Sequence, residues 1–368
     1  MNLQLNYQDI LQQISSIDPI KYARERNYIN GAVSYLSPYI SRGIISTKQV
    51  AHHVLEQGFT IEQSEKFIQE LAWRDYWQLV WKSQGNINRD LKQTQIDVGN
   101  EEIPAAVDHA KTGIQSIDSA IERLFDIGYM HNHIRMYVAS ICCNIGKSHW
   151  LEPAKWMYYH LLDADWGSNA LSWQWVAGTN SSKKYFANQD NINKYTHSNQ
   201  KNTFLDSSYE ELMTMDCPEI LEVTHIPHQT TNLPENLPIH VPRTKPTLIY
   251  NFYNLDPKWR QHEDVNRVLL LEPSHFEEYP ICDKSVQFMI EFAKQNIKNI
   301  QIYTGEFKTF CKQYSLTDII YKEHPFNTHL EGLEDKREWL FTENGNYPSF
   351  FKFWNKHKHL LRPWQKSA

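Results

Sequence analysis

The sequence predicts an α + α/β protein in which an all-helical domain is followed by a small parallel-sheet α/β domain. Residues 1–200 contain long segments with apolar residues at helical spacing. From Thr247 onward, short β-rich runs alternate with helical segments, a pattern typical of a parallel α/β layer. Residues 201–245 between them are polar and interrupted by prolines, which is typical of a connector. The predicted domains are therefore residues 1–200, 201–245 and 246–368.

Four helices are predicted in the first domain. The helix in "TIEQSEKFIQELAWRDYWQLVWKSQG" is predicted to end before Gly85, and "SIDSAIERLFDIG" begins on a Ser116 cap and stops at a glycine. "MHNHIRMYVASICCNIG" ends at Gly146, and "EPAKWMYYHLLDAD" has Pro153 in its first turn. By contrast, "LLDADWGSNALSWQWVAGTN" (161–180) shows neither helical nor strand periodicity, so we predict an irregular segment there.

The second domain is predicted to contain four short strands, "TLIYNFY", "RVLLLEP", "NIQIYTG" and "DIIYKEH". The segments "KSVQFMIEFAKQN" and "EFKTFCKQYS" are predicted as the helices between the last three strands. Residues 347–361, "YPSFFKFWNKHKHLL", are predicted to form a closing helix.

Composition places the chain among globular proteins of the cytoplasm. Its 368 residues suit two domains, and no run approaches the roughly 20 apolar residues that span a bilayer, so no membrane association is expected. The start lacks the pattern of a signal peptide, and the five cysteines are scattered without a CxxC spacing, so we expect a reducing compartment and a monomer. The net charge is −6 and neither half is basic, so any nucleic-acid contact requires a local patch.

Tryptophan is unusually abundant. Of the twelve in the chain, eight lie in the first 200 residues: Trp73, Trp77, Trp81, Trp150, Trp156, Trp166, Trp173 and Trp175. Core packing is one interpretation. A planar ligand or an electron-transfer path is the other, and composition alone does not favour either.

Two motifs precede residue 80. In "SYLSPYISRG", Ser37 followed by Pro38 predicts a helix start, which is either an ordinary cap or a phosphate-binding terminus. In "ELAWRDYW", one helix face carries a Glu, an Arg and two indoles. This face is either the wall of a ligand site or a surface ion pair with aromatic packing.

Two further segments predict a polar pocket with aromatic walls. His131 and His133 diverge on the predicted helix, so no metal site is predicted. Arg135 needs a carboxylate partner if the pair is buried, and Asp163 or Asp165 would supply it. Together with Asn169 and the neighbouring indoles, these charges are typical of a site for a conjugated ring whose charge changes during reaction.

These segments resemble the DNA photolyase/cryptochrome family, specifically the FAD-binding domain of the cyclobutane-pyrimidine-dimer type. The resemblance runs through "SYLSPYISRG", "ELAWRDYW", "TGIQSIDSAIERLFDIGYMHNHIRM" and "LLDADWGSNALSWQWVAGTN", which together cover residues 20–195. It implies an all-helical domain that binds FAD in a U-shaped conformation. The order of domains is permuted relative to the family, whose α/β antenna domain normally comes first. The C-terminal segment is thus a shortened counterpart or an unrelated addition, and the antenna chromophore is unknown.

The resemblance also implies the cofactor-binding residues. Four match positions that hold the FAD phosphates and ribose: Tyr22, Ser34, Ser37 and Arg74. Asn132 matches a residue near the adenine and the substrate. The flavin ring is expected to contact the Arg135–Asp163 pair, Asp165 at its edge and Asn169 at N5.

On the substrate side, the resemblance implies light-driven repair of cyclobutane pyrimidine dimers in DNA by an electron from excited reduced FAD. The implied catalytic residues are Glu70, Trp73, Asn132, Met136, Asn169 and Trp175, of which the two tryptophans would stack on flipped bases. "MHNHIRM" lacks the paired histidines of the (6-4) branch, which favours dimer repair. Two alternatives are a cryptochrome-like blue-light photoreceptor without repair activity, and a flavoprotein or RNA-binding module with no light function.

Electron transfer and DNA binding complete the implied functions. Trp173 and Trp150 match the first two tryptophans of the family's electron-transfer chain, and a tyrosine or Trp156 replaces the third. An arginine usual in the family is Ala187 here, so DNA contact is expected from other cations: Arg24, Arg26, Arg42, Lys183 and Lys184. Because the chain is acidic, single-stranded DNA is the expected preference, since flipping a base costs less there.

Overall fold

The computed structural model describes residues 3–342 and 345–364. In these ranges, helices α1 to α17 are Tyr7–Ser15, Pro19–Glu25, Ser37–Ser41, Thr47–Glu56, Ile61–Gln84, Ala105–Asp108, Gln115–Ile127, Asn132–Ser140, Leu151–His160, Trp166–Ala177, Gln189–Thr196, Tyr209–Thr214, Glu219–Glu222, Pro273–Glu278, Asp283–Asn296, Phe307–Tyr314 and Phe350–His357. Strands β1 to β7 are Ile103–Pro104, Thr224–His225, Thr247–Tyr250, Asn266–Leu271, Ile300–Thr304, Ile319–Lys322 and Leu333–Asp335. A π-helical turn, Ile141–Ile145, follows α8, and 3₁₀ turns cover Pro325–Asn327 and Lys358–Trp364. None of the described helices combines the length and the apolar composition needed to cross a membrane.

The chain forms two compact units, and each is discontinuous in sequence. Unit 1 contains Met1–Ile20, Ser34–Ser83 and Thr230–Ala368, whereas unit 2 contains Lys21–Val33 and Gln84–Gln229. The domains predicted with limits near residues 200 and 245 are continuous segments of sequence, whereas the two units are not. Those limits therefore stay predictions. Within the predicted connector, α12, α13 and β2 precede a stretch without helix or strand from residue 226 to 242.

Unit 1 contains a five-stranded parallel sheet of strand order β5-β4-β3-β6-β7. Strands β3 and β4 are buried along their whole length, as expected for the centre of a parallel sheet. Helices α14 and α15 connect β4 to β5, and α16 connects β5 to β6. The predicted parallel α/β layer is thus confirmed. Strand β7 was not predicted, because its three residues are mostly exposed and form no β-rich run.

The helix ends show where sequence signals were correct and where they were not. Helix α7 stops at Gly128, whose φ of +65° is the left-handed conformation that glycine adopts without strain. Its start is different from the prediction, because Ile114 rather than Ser116 is the N-cap. Helix α3 likewise begins at Ser37 itself, with Leu36 as N-cap and no side-chain hydrogen bond at the cap. The prediction of a Ser37 hydroxyl cap is therefore wrong.

The segment predicted to be irregular contains helix α10, so that prediction is also wrong. Nine of its twelve residues are buried, and the other three lie at i, i+4 and i+7 on one face of the helix. One of those three is Trp175, and the buried set includes Asn169 and Gln174, so hydrophobicity does not follow burial and no helical period is visible in the sequence. The signals at its ends are nevertheless ordinary. Asp165 caps the N-terminus, and Gly178 ends the helix with a φ of +87°.

Candidate functional site

The predicted site residues belong to both units. Unit 2 contains Tyr22, Arg24, Arg26, Asn132, Arg135, Met136, Trp150, Asp163, Asp165, Asn169, Trp173, Trp175, Lys183 and Lys184. Unit 1 contains Ser34, Ser37, Arg42, Glu70, Trp73 and Arg74.

In unit 2, α8 presents Arg135 to Asp163, which lies in the turn before α10. The Nη1 atom of Arg135 donates to Oδ2 of Asp163 at 3.0 Å, and the side chains are 20% and 8% exposed. Its Nε atom donates to the carbonyl oxygen of Met130 at 2.9 Å, which orients the guanidinium. Of the two carboxylates considered from the sequence, Asp163 is thus the ion-pair partner of Arg135.

The first turn of α10 orders a second polar group. Oδ1 of Asp165 accepts a hydrogen bond from the backbone N–H of Ser168 at 2.7 Å. Nδ2 of Asn169 donates to the carbonyl oxygen of Ala154 at 2.7 Å in a buried environment. A carbonyl oxygen accepts only, so this contact assigns the amide nitrogen of Asn169 to the Ala154 side. Its Oδ1 atom, an acceptor, therefore points away from Ala154.

The N-terminus of α8 is capped by a neutral histidine. Nδ1 of His131 accepts from the backbone N–H of His133 at 3.2 Å, which requires an unprotonated ring nitrogen. Burial, together with the nearby charges of His133 and Arg135, lowers the pKa of His131 to about 4. Burial and the charge of Arg26 also lower the pKa of His133 to about 4. Both imidazoles are thus neutral at pH 7.

Buried tryptophans of unit 2 are anchored through their indole N–H groups. Trp150 donates to Asp90, Trp156 to Asp108 and Trp166 to Asn88, each at 2.7 Å. Trp173 is also buried, with 2% of its surface exposed. Trp175 is different, since it is 37% exposed and its ring lies 5.8 Å from that of Tyr185. Among these tryptophans, Trp175 is thus the one whose exposure allows contact with a ligand from solvent.

In unit 1, Trp73 is stacked on Phe350, which is distant from it in sequence. The ring centroids of Trp73 and Phe350 lie 3.8 Å apart with planes at 10°. Trp77 lies 5.0 Å from Trp73 at a tilt of 40°. One face of the Trp73 indole is therefore covered by the first residue of α17.

The cations expected to contact DNA have mixed environments. Arg42 is fully buried, its guanidinium lies 3.3 Å from the ring centroid of Phe252, and Nη1 donates to the Phe252 carbonyl oxygen at 2.8 Å. The prediction that Arg42 lies on a basic rim is therefore wrong, because aromatic packing withdraws it from solvent. Arg24 pairs with Glu25 at 2.6 Å and Lys184 pairs with Asp97 at 3.1 Å, whereas Lys183 is exposed.

A cluster of metal-ligand types that sequence spacing did not indicate lies in unit 2. Asp108, His109 and His225 place one ligand atom each within 4.8 Å of the others. Nε2 of His225 and Oδ2 of Asp108 are 2.7 Å apart, which is a direct hydrogen bond. This bond and the indole of Trp156 account for the arrangement without an ion, and the expectation of no metal site stays a prediction.

Comparison with known proteins places these residues in a described family. The model of the FAD binding domain of DNA photolyase matches residues 67–250, which is half of the chain. Over 152 residues, the chain is 31% identical to a deoxyribodipyrimidine photo-lyase of Alkalihalophilus pseudofirmus, covering 39% of this chain and 31% of that protein. It is 26% identical to cryptochrome-1 of Arabidopsis thaliana over 191 residues, covering 47% of this chain and 27% of that protein. The chain thus spans about a third of the length of the curated relatives it matches.

A solved structure, the cryptochrome of Synechocystis sp. PCC6803, aligns with a TM-score of 0.44 at 22% identity. The alignment covers 53% of this chain and 44% of that chain.

Proposed function

We propose, since the chain belongs to the photolyase/cryptochrome family and FAD is the cofactor of that domain, that it repairs cyclobutane pyrimidine dimers in DNA with light. The observation that carries this proposal is a set of polar side chains in unit 2 that lies within the matched residues 67–250. There, the Arg135–Asp163 ion pair and the oriented amide of Asn169 occur on neighbouring elements. A photolyase of Alkalihalophilus pseudofirmus is among the relatives of this segment, which supports the same activity.

The polar groups of unit 2 fit a flavin. A flavin ring carries donors and acceptors along one edge and gains negative charge on reduction, so it suits a guanidinium, an acceptor amide and a hydroxyl. The Oγ atom of Ser168 is buried on the first turn of α10 and has no hydrogen-bond partner within residues 3–342 and 345–364. A buried hydroxyl of this kind calls for a partner from outside the chain. It stands one residue before Asn169, whose Oδ1 atom is directed away from Ala154.

The roles proposed for the protein groups follow from their charges. When bound and reduced, FAD supplies the photoexcited electron that opens the cyclobutane ring of the dimer. Arg135 provides a fixed positive charge for the reduced ring, and Asp163 holds that guanidinium in place. Asn169 would hold the flavin at N5 through its Oδ1 acceptor, and Asp165 would hold the ring edge. Tyr22, Ser34, Ser37, Arg74 and Asn132 keep their proposed roles with the phosphates, ribose and adenine.

Trp175 is the residue for which the structure best supports a role in substrate binding. Its exposed indole is available to stack on a flipped base, which contributes about 1–3 kcal/mol per base. Glu70, Trp73, Asn132 and Met136 complete the proposed substrate side. Trp173 and Trp150 are the proposed electron-transfer residues. UV-damaged DNA is the proposed partner, with single strands preferred, and the protein is proposed to act as a monomer.

A second function, a blue-light photoreceptor without repair, is favoured by one observation. Phe350 covers a face of Trp73, the residue expected to stack on the dimer. A ring face occupied by the protein's own side chain does not bind a base unless that side chain moves. Cryptochrome-1 of Arabidopsis thaliana is also among the relatives.

One experiment separates the two functions. The protein is loaded with FAD, reduced, mixed with UV-irradiated oligothymidine and either illuminated with blue light or kept dark. Repair predicts loss of dimers in the lit sample alone, whereas reception predicts flavin photochemistry with the dimers intact. Trp175→Ala is expected to weaken dimer binding by roughly 5- to 150-fold, which corresponds to about 1–3 kcal/mol. Tyr209→Ala serves as a control because Tyr209 is 38% exposed. A protein that binds no FAD under these conditions would contradict both functions.

A further inference from the structure

The outer face of α17 and the 3₁₀ turn after it is basic. Residues 350–364, "FFKFWNKHKHLLRPW", contain three lysines, one arginine and two histidines but no acidic residue. The whole chain, by comparison, has a net charge of −6. The exposed members of this segment include Lys352, Lys356, Lys358 and Arg362. We call these four residues the basic face. It is a local positive patch on an acidic chain, which sequence composition alone does not reveal.

The inner face of the same segment is anchored on α5. Phe350, Phe353 and Trp354 are buried. Phe350 stacks on Trp73 at 3.8 Å between ring centroids, and Phe353 lies 5.8 Å from Tyr76. These contacts hold the basic face on the helix that carries Glu70 and Trp73. Both elements belong to unit 1, so this placement depends on that unit alone.

The cations of the basic face are mostly not neutralised by neighbours. In the described part of the chain, Lys358 is the one member with a carboxylate within 4.0 Å, since Glu65 lies 3.8 Å away. Lys356 lies 5.4 Å above the ring of Tyr347, which leaves its charge in place. By contrast, Arg24 and Lys184, which were expected to bind DNA, are ion-paired with Glu25 and Asp97. Free cations attract phosphates more strongly than paired ones do.

An aromatic side chain accompanies these cations. Phe351 is 60% exposed and precedes Lys352 directly. Exposed aromatic rings beside lysines are the combination with which proteins hold single-stranded nucleic acid, through base stacking and phosphate attraction together. This combination distinguishes the basic face from a merely solvated cluster of lysines.

We infer that the basic face binds the phosphate backbone of the DNA substrate, an inference that rests on the repair function proposed above. The contact is electrostatic and independent of base sequence, and it lies on the element that covers Trp73. The slope of log K against log salt is negative. Each phosphate contact that is lost makes it less steep, by roughly 0.7 for single strands and roughly 0.9 for duplexes.

The test compares two charge-reversed proteins with the same net charge. Lys352→Glu with Lys356→Glu alters the basic face, and Lys308→Glu with Lys312→Glu alters exposed lysines of α16. Binding of fluorescently labelled, UV-irradiated oligothymidine is measured in the dark by anisotropy over a series of salt concentrations. The basic-face variant is expected to bind at least tenfold more weakly at low salt, with a slope reduced by roughly 1.4. The α16 variant is expected to lose less than threefold.

The outcomes separate this inference from the repair function. FAD content and thermal unfolding of both variants verify the fold, and Lys352→Gln with Lys356→Gln tests loss of charge without reversal. If the wild-type protein repairs dimers and the basic-face variant has the same affinity for DNA as the wild-type protein, the inference about the basic face is overturned. The repair function then stands. Equal weakening by both variants would also overturn it, because the effect would then come from net charge. Binding to phosphatidylserine vesicles with no binding to DNA would overturn both.

Discussion

Removal of the Asp163 carboxylate is expected to destabilise the protein by about 3 kcal/mol, the lower end of the cost of breaking a buried ion pair. The ion pair is 3.0 Å long, and Asp163 is almost fully buried. Asp163→Ala leaves the Arg135 guanidinium with the Met130 carbonyl as a remaining partner. Because Arg135 is 20% exposed, water partly replaces the carboxylate, and the cost stays below the upper limit for such pairs.

The coupling between the two charges is measured by a double-mutant cycle. Asp163→Ala, Arg135→Met and the double variant are unfolded in urea and followed by tryptophan fluorescence. A coupling energy of about 1.5–3 kcal/mol is expected, the value of a hydrogen bond between charged groups. Asp97→Asn is the control, since Asp97 is 58% exposed in its pair with Lys184 and asparagine tolerates its left-handed backbone (φ 59°), so this variant should lose under about 1 kcal/mol. A coupling below about 0.5 kcal/mol would refute the reasoning, because neighbouring residues would then order Arg135 without the carboxylate.

Three further predictions concern other groups of unit 2. Asn169→Asp places a carboxylate against the Ala154 carbonyl oxygen. The free energy of unfolding in urea is expected to fall by about 1–3 kcal/mol, and the FAD content is expected to fall as well. Unchanged values would contradict the assigned orientation of the Asn169 amide. The pKa of His131 is lowered to about 4 in the folded protein, so the unfolded chain takes up this proton at a higher pH than the folded protein does. The stability, measured as Tm, should therefore fall as the pH decreases from about 6.5 to about 4. His131→Gln should reduce this dependence but not remove it, because the pKa of His133 is also lowered to about 4. Burial raises the pKa of the Cys142 and Cys143 thiols, so iodoacetamide should label them only after unfolding, as read by mass spectrometry.

The sequence pattern predicted helix α5 and the buried strands β3 and β4, but it missed helix α10. Helix α5 was predicted to its last residue because a stop signal, Gly85, follows a long helical pattern. Helix α10 was missed because its exposed face carries a tryptophan while its buried faces carry Asn169 and Gln174, although its Asp165 cap and Gly178 stop are visible in the sequence. End signals therefore carry information where periodicity is lost, and the two need to be read together.

Within the candidate site, the predictable contacts were those set by local spacing and by charge. Arg135 needed a carboxylate partner, and residues 161–180 contain two acids, Asp163 and Asp165. The structure shows that Asp163 is the partner. Arg42 could not be predicted, because its burial depends on Phe252, more than two hundred residues further along the chain. The stacking of Phe350 on Trp73 is of the same kind. Long-range packing of a cation or a ring depends on the tertiary fold, and no local pattern encodes it.

The stacked pair on α5 has consequences for the choice between repair and light sensing. A buried phenylalanine contributes about 1.5–3 kcal/mol through burial, and a stacked aromatic pair adds about 0.5–1.5 kcal/mol. A base stacked on the same indole returns about 1–3 kcal/mol, so replacing Phe350 by one base alone is unfavourable or close to balanced. Phosphate contacts on the basic face of α17 would shift this balance only if they are stronger in the state in which Phe350 has left Trp73. If the proposed repair function requires a base on the Phe350 side of Trp73, other contacts with DNA would therefore have to supply the missing few kcal/mol.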